Sequence, residues 1–238
     1  MKLEIVFQNE NFVVLDKPAM VLTTPSREGA RDERECLGLA LQNQMGEQIF
    51  PVHRLDFEVS GLVMFARNAK AHAIANAWFE HKSVFKVYQA FTSDQNFDHI
   101  PANVKNDRKA LSLNSGDRFL WKSRLLRGKR RAYDHATGKP SETEAIYLGP
   151  VAAAAGEGGK PASSEWLRWE LHPLTGRPHQ LRYELSSHGF PIVGDDLYGS
   201  KLKFPKPGIA LRAVKIDFTK SPDAKKLGLP ATIEVGPL

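Results

Sequence analysis

Pro51-Val52-His53-Arg54-Leu55-Asp56, followed by Phe57-Glu58-Val59-Ser60-Gly61 and the apolar run Leu62-Val63-Met64-Phe65-Ala66, reads as a tight loop feeding a buried strand. Ser60-Gly61 supplies turn chemistry ahead of that strand. The loop carries a cation, an apolar side chain and a carboxylate in consecutive positions: Arg54, Leu55 and Asp56. A carboxylate at the lip of a buried strand is partly desolvated, and its charged form is disfavoured unless a cation pairs with it. The plain reading is a turn-capping Asp beside a solvated Arg. The reading with chemical content asks which cation pairs with Asp56, and what an ionised Asp in a cleft would do.

Upstream, Leu3, Ile5 and Phe7 alternate with polar residues, Gln8-Asn9-Glu10-Asn11 marks a turn, and Phe12-Val13-Val14-Leu15 is a second apolar run, which predicts a hairpin. Asp16-Lys17-Pro18-Ala19 closes it, because Pro18 takes the chain out of regular structure. Lys17 reads as a solvated residue at a strand exit, with no catalytic role. Residues 24 to 36 read as a polar surface loop, and Leu37 to Gln44 as a short helix. Downstream, Asn68 suits an N-cap, and Ala71, Ile74, Ala75, Trp78 and Phe79 share one helical face ending near His81. Val84 to Phe91 is rich in aromatic and β-branched residues, hence a strand with Lys86, Tyr88 and Ala90 on one face.

The chain has 238 residues, enough for a sizeable core in one large domain or two closely packed halves. No apolar run approaches the length of a membrane span, and the N-terminus carries no signal-like segment. One cysteine, Cys36, rules out an internal disulfide framework and fits a reducing cytoplasm. The formal charge of +6 points weakly to a polyanionic partner, a suggestion whose weight depends on whether the cations cluster. They are densest at Arg118, Lys122, Arg124, Arg127, Lys129, Arg130 and Arg131, with Trp121 and Tyr133 alongside. Such residues can neutralise phosphates while aromatic rings stack on unpaired bases, or they can form a solvated hairpin. Breakers at Pro101, Gly116, Gly128, Gly138 and Pro140 predict short pieces between 93 and 145, and the Gly-rich stretch from Ala152 to Ser164 predicts a flexible loop between strands.

Glu165 to Leu171 reads as a strand. It precedes Leu174-Thr175-Gly176-Arg177-Pro178-His179-Gln180-Leu181-Arg182-Tyr183-Glu184-Leu185 and then His188-Gly189-Phe190-Pro191-Ile192-Val193-Gly194-Asp195-Asp196-Leu197-Tyr198-Gly199. Thr175-Gly176 is a turn, Pro178 suits the first turn of a helix, Leu181 and Leu185 share its buried face, and Gly189 fits its end. A late strand over Ile209 to Ile216 and a short one over Thr232 to Val235 complete the chain. A metal site built from His53, His179 and His188 is disfavoured by their spacing.

The His53-Arg54-Leu55-Asp56 loop with Ser60-Gly61, the strand ending in Asp16-Lys17-Pro18, the Lys86-x-Tyr88-x-Ala90 strand and the Thr175-to-Gly199 segment together resemble the RluA-type RNA pseudouridine synthases. The likeness covers roughly Leu3 to Phe218; Pro178 and the Tyr183-Glu184 pair depart from the commoner residues but leave Arg182 in register. The resemblance implies an α+β fold: a long mixed, mainly antiparallel sheet flanked by helices with a central basic cleft. A single catalytic domain over 1–238 is expected; a departure from the family is that there is no room before Leu3 for the N-terminal RNA-binding accessory domain that many of its members carry. The resemblance also implies Asp56 as the catalytic nucleophile, Arg182 as its cationic partner, Tyr88 against the target base, and Arg54 occupying the space the flipped base leaves. Lys122, Arg124, Arg127, Lys129, Arg130, Arg131 and Arg177 are the expected RNA contacts. The reaction, uridine to pseudouridine in structured rRNA or tRNA, conserves atoms and needs no cofactor, in keeping with the lack of nucleotide-binding fingerprints. A cytoplasmic monomer acting on RNA is expected. The rival classes are a catalytically inactive RNA-binding protein or chaperone on the same fold, and a glycosidase acting on free nucleosides.

Overall fold

The computed structural model describes every residue except 102–103, 105–107 and 153–164, so the loop expected there lies, after Ala152, outside the described residues. Along the chain the elements are β1 (Ile5–Gln8), β2 (Phe12–Lys17), α1 (Leu37–Met45), β3 (Phe50–Pro51), β4 (Ser60–Ala66), α2 (Ala69–Glu80), β5 (Phe85–Thr92), β6 (Arg118–Arg127), β7 (Ala132–Asp134), β8 (Lys139–Ala152), β9 (Glu165–Pro173), α3 (Gln180–Ser187), β10 (Leu211–Asp217) and β11 (Thr232–Glu234). They form two compact units, Met1–Lys86 with Arg212–Pro237, and Val87–Leu211.

In the first unit β1 pairs β2, β2 pairs β4 and β11 pairs β10, all antiparallel, while β4 and β10 run parallel. Strand period sorts the apolar residues of β2 and β4 onto two faces. Phe12, Val14, Leu62, Met64 and Ala66 join one core with Ala71, Ala75 and Trp78 of α2. Val13, Leu15, Val63 and Phe65 join the other with Leu37 and Leu41 of α1. Strands covered on both faces need continuous apolar runs, which is why both sequences lack alternation. Burying each Val, Leu, Phe or Met of these cores is worth about 1.5–3 kcal/mol. The Asn68 Oδ1 accepts from the Ala71 amide at 2.8 Å, the cap expected for α2.

Ser60 and Gly61 belong to β4 instead of preceding it. The glycine is required by packing: its φ is +109°, and a Cβ there would lie 2.2 Å from the Ala213 carbonyl oxygen of β10.

In the second unit the strand order is β5-β9-β8-β6-β7, antiparallel at each of these pairings. Its core is aromatic. Trp169, fully buried, has Phe190, Tyr147 and Trp121 at centroid distances of 5.0, 5.3 and 5.7 Å, and its indole N–H donates to Thr92 Oγ1 at 3.0 Å. Trp121, which lies among the basic residues in sequence as a candidate for base stacking there, is core. The short pieces expected up to 145 are instead the long strands β6 and β8. β8 absorbs Gly149 as an irregularity in its pairing with β9, where φ is +98°. The α+β class and the mixed, mainly antiparallel pairing agree with the sequence expectation. Among the described residues no helix is long and apolar enough to cross a membrane.

Candidate active site

Asp56 sits on the eight residues between β3 and β4, Val52 to Val59, all in the first unit. Anchors hold this loop at alternate positions, through the side chain of His53 and the main chain of Leu55 and Phe57. The buried Thr23 hydroxyl accepts from the Leu55 N–H at 3.1 Å and donates to the Leu55 carbonyl at 3.0 Å. The Phe57 carbonyl accepts from the Met20 N–H at 2.8 Å and lies 3.4 Å from the Lys17 ammonium. His53 Nε2 accepts from the Met64 N–H at 3.2 Å, while its ring stacks on Phe79 at 5.2 Å. That bond requires an imidazole unprotonated at Nε2. Burial, helped by the charge of Lys86, pushes the ring down to about 3, so it is neutral at neutral pH. Buried Leu55 thus locks the backbone while Arg54 is exposed and Asp56 half-buried.

Lys17 overturns the expectation of a solvated residue. It is fully buried, and its ammonium also donates to the carbonyls of Pro18 and Val21 at 2.8 Å each. Burial pushes its amine down to about 8 against the opposing attraction of Asp56 and Glu58. A cation coupled to Asp56 therefore lies within the first unit itself. Strand period carries the missed signal: Val13, Leu15 and Lys17 share the face of β2 that packs into a core. Thr23 offered no comparable signal.

The other expected site residues belong to the second unit. Tyr88 is buried on β5 opposite Leu171 of β9. Arg182 lies on α3, only 1% exposed. Its Nε and Nη2 donate to Asp195 Oδ2 and Oδ1 at 2.7 and 2.8 Å, a two-pronged pair with a carboxylate that is equally buried. α3 begins at Gln180, later than Pro178 suggests, because His179 adopts a left-handed conformation at φ +53°. The Nδ1 of His179 lies 3.2 Å from the Tyr198 hydroxyl. His188 stacks on Trp121 at 4.3 Å with its Nδ1 on the Glu184 carbonyl. Sequence alone assigns no role to Asp195 or Tyr198.

The basic residues divide. Lys122 pairs with Glu142 at 3.3 Å, which offsets its charge. Arg124 and Arg177 approach one stretch of β8 and its turn: Arg177 Nε donates to the Pro140 carbonyl at 2.8 Å, and Arg124 is the register partner of Pro140. Arg127, Lys129, Arg130 and Arg131 are exposed around the β6–β7 turn, closed by the Gly128 N–H on the Arg131 carbonyl at 3.0 Å. Tyr133, 40% exposed, is the surface aromatic there. No cluster of metal-ligating side chains occurs among the described residues.

The family model for RNA pseudouridylate synthase matches residues 11–187. The dual-specificity RNA pseudouridine synthase RluA of Vibrio vulnificus is 31% identical over 217 residues, 90% of this chain and 77% of that protein. The tRNA pseudouridine synthase C of Vibrio cholerae is 30% identical over 83% of this chain and 74% of its own length. Among solved structures, human RNA pseudouridylate synthase domain containing 1 superposes with a TM-score of 0.64 at 21% identity, covering all of this chain and 90% of the human one, a likeness of fold. The matched residues span the pinned Asp56 loop, the Tyr88 strand and the Arg182 helix, and the chain belongs to the RNA pseudouridylate synthase family.

Proposed function

We propose that this chain isomerises uridines to pseudouridine within structured tRNA or rRNA, with Asp56 as the nucleophile. One observation carries the reading. The loop backbone is fixed at residues 55 and 57 by Thr23, Met20 and Lys17, and the His53 side chain is bonded to the Met64 amide of β4, while Asp56 between them stays half-exposed. Rigid main chain beneath an accessible carboxylate is what a positioned nucleophile needs.

The reaction breaks the C1′–N1 glycosidic bond, turns the base, and forms a C1′–C5 bond. The proton on C5 is lost and N1 regains one, so atoms balance without a redox partner. Asp56 supplies the nucleophilic carboxylate. Arg182 supplies a guanidinium to the reaction, and Lys17 adds a positive charge coupled to Asp56. Tyr88 lies against the base, and exposed Arg54 fills the space the base vacates in the helix. The β6–β7 turn with Arg127, Lys129, Arg130 and Arg131, and the neighbouring Arg124 and Arg177, contacts phosphates. The protein acts as a cytoplasmic monomer.

The relatives support the substrate class, since one is named for dual-specificity RNA modification and another for tRNA. The test is release of tritium from RNA carrying 5-tritiated uridine, with tRNA and rRNA supplied separately. Release from one or both fractions is expected, and carbodiimide-blocked reverse transcription then maps the uridine. No release from either fraction overturns the reading.

A further inference from the structure

A guanidinium buried as deeply as that of Arg182 must be neutralised, but neutralisation alone does not require the geometry found here. Asp195 takes one full edge of the fork, Nε and Nη2, at 2.7 and 2.8 Å. A two-pronged contact fixes the plane of the group as well as its place, and so fixes where the remaining Nη1 edge points. The Tyr198 ring supplies a second constraint, with its centroid 5.3 Å from Arg182 Cζ. A buried ion pair is a poor device for stability alone, because an apolar pair of similar volume does as well or better.

The turn carrying Asp195 and Tyr198 is itself held. The Asp195 N–H donates to the Ile192 carbonyl at 2.9 Å, and its own carbonyl accepts from the Tyr198 and Ser200 amides at 3.1 and 3.0 Å. Gly194 has φ +87°, and a Cβ there would meet Phe204 Cβ at 2.9 Å, so the approach to Asp195 requires glycine. Ser186, one turn beyond Arg182 on α3, donates its hydroxyl to the Tyr198 carbonyl at 2.7 Å. The Tyr198 hydroxyl accepts from the Ala132 N–H at 2.7 Å. Ala132 opens β7 immediately after Arg131.

We infer that Asp195 and Tyr198 are positioning residues that preset the Arg182 guanidinium for the reaction, and that the Tyr198 hydroxyl ties this cradle to the root of the basic β6–β7 turn. The inference rests on the reading of Arg182 given above. Asp195 sets the plane of the fork, the ring of Tyr198 backs it, and the hydroxyl of Tyr198 fastens both to the segment proposed to grip RNA. A displacement of about 1 Å at such a group costs on the order of 100-fold in rate.

The experiment is single-turnover tritium release at saturating RNA, together with RNA affinity, for Asp195→Asn, Tyr198→Phe, Tyr198→Leu and Arg182→Lys, all well below their melting temperatures. Asp195→Asn is expected to slow the chemical step roughly 100-fold while the RNA Kd changes less than about threefold. Tyr198→Phe, which keeps the ring and loses the tether, is expected to be slowed about fivefold, and Tyr198→Leu more. A merely structural role would lower melting temperatures and leave these rates alone. If Asp195→Asn does not fold, the two Tyr198 variants carry the test. Wild-type rates in the folded variants together with a slow Arg182→Lys overturn this inference alone. A wild-type rate in Arg182→Lys overturns the reading of Arg182 as well.

Discussion

The loop of Asp56 and the helix of Arg182 hold opposite charges by opposite means. In the loop, hydrogen bonds seize the backbone at Leu55 and Phe57 and leave the carboxylate half-exposed. On α3 the side chain itself is seized, forked onto Asp195 and backed by Tyr198, in nearly complete burial. The contrast follows from the side chains. An Asp has little freedom once its backbone is set, so fixing the main chain aims it. An Arg on a helix keeps several rotatable bonds, so only contacts at its far end can aim it.

The difference is broken most severely at the ion pair. Asp195→Ala removes the forked carboxylate from an almost completely buried guanidinium and should cost about 3–5 kcal/mol in denaturant-unfolding stability. A loss below about 1 kcal/mol would mean that the pair is readily replaced by solvent. In the loop, Thr23→Val deletes both bonds to Leu55 at nearly constant volume. A cost of about 1–3 kcal/mol is expected, with kcat reduced roughly tenfold and RNA affinity kept, whereas Thr23→Ser stays near wild type. Equal kcat in Thr23→Val would show that the loop needs no such anchor.

Lys17 sharpens the comparison through pH. Its amine, held near 8 by burial, releases its proton in the folded chain while the unfolded chain keeps it until about 10.5. The unfolded state binds more protons across that interval, so this group's contribution to stability rises with pH there. The positive charge beside Asp56 disappears over the same interval. Turnover should therefore fall above about pH 8 even as this contribution rises. Lys86, also brought to about 8 by burial, titrates alongside, so the comparison with Lys17→Met isolates Lys17. An alkaline limb of kcat unchanged in Lys17→Met would remove Lys17 from the account.

The smallest effect is expected at Glu184, beside the Arg182 helix face. It is buried, one oxygen is bonded by the Ser123 hydroxyl, and the other has no hydrogen-bond partner among the described residues. Burial pushes its carboxyl up to about 7, so the folded chain holds the proton more tightly and stability from this group is lost as pH rises through 7. Glu184→Gln should then be more stable than wild type at pH 8 by on the order of 1–2 kcal/mol, and close to it at pH 4.5. A variant less stable at both values would contradict this.

Much of the first unit was legible because each element announces itself locally. The continuous runs of β2 and β4, the cap at Asn68 and the helical face through Trp78 need no distant partner to be read. What escaped depended on neighbours far along the chain. Gly61 looks like turn punctuation until β10, about 150 residues on, presses against it. Trp121 looks like a surface stacker beside arginines until Trp169 and His188 enclose it. At the site, Arg54 and Asp56 stood out as a charged pair in one loop, but Thr23 and Asp195 each act on one residue 32 and 13 positions away, and such pairings leave no local pattern. Lys17 is readable from strand period, because it continues the buried face of β2 that runs through Val13 and Leu15.

The most direct test is tritium release from 5-tritiated RNA by Asp56→Asn, measured with its RNA affinity. The account predicts that wild type releases tritium and that the variant releases none above background, while its RNA Kd stays within about threefold. Sustained release by a folded Asp56→Asn protein would contradict it.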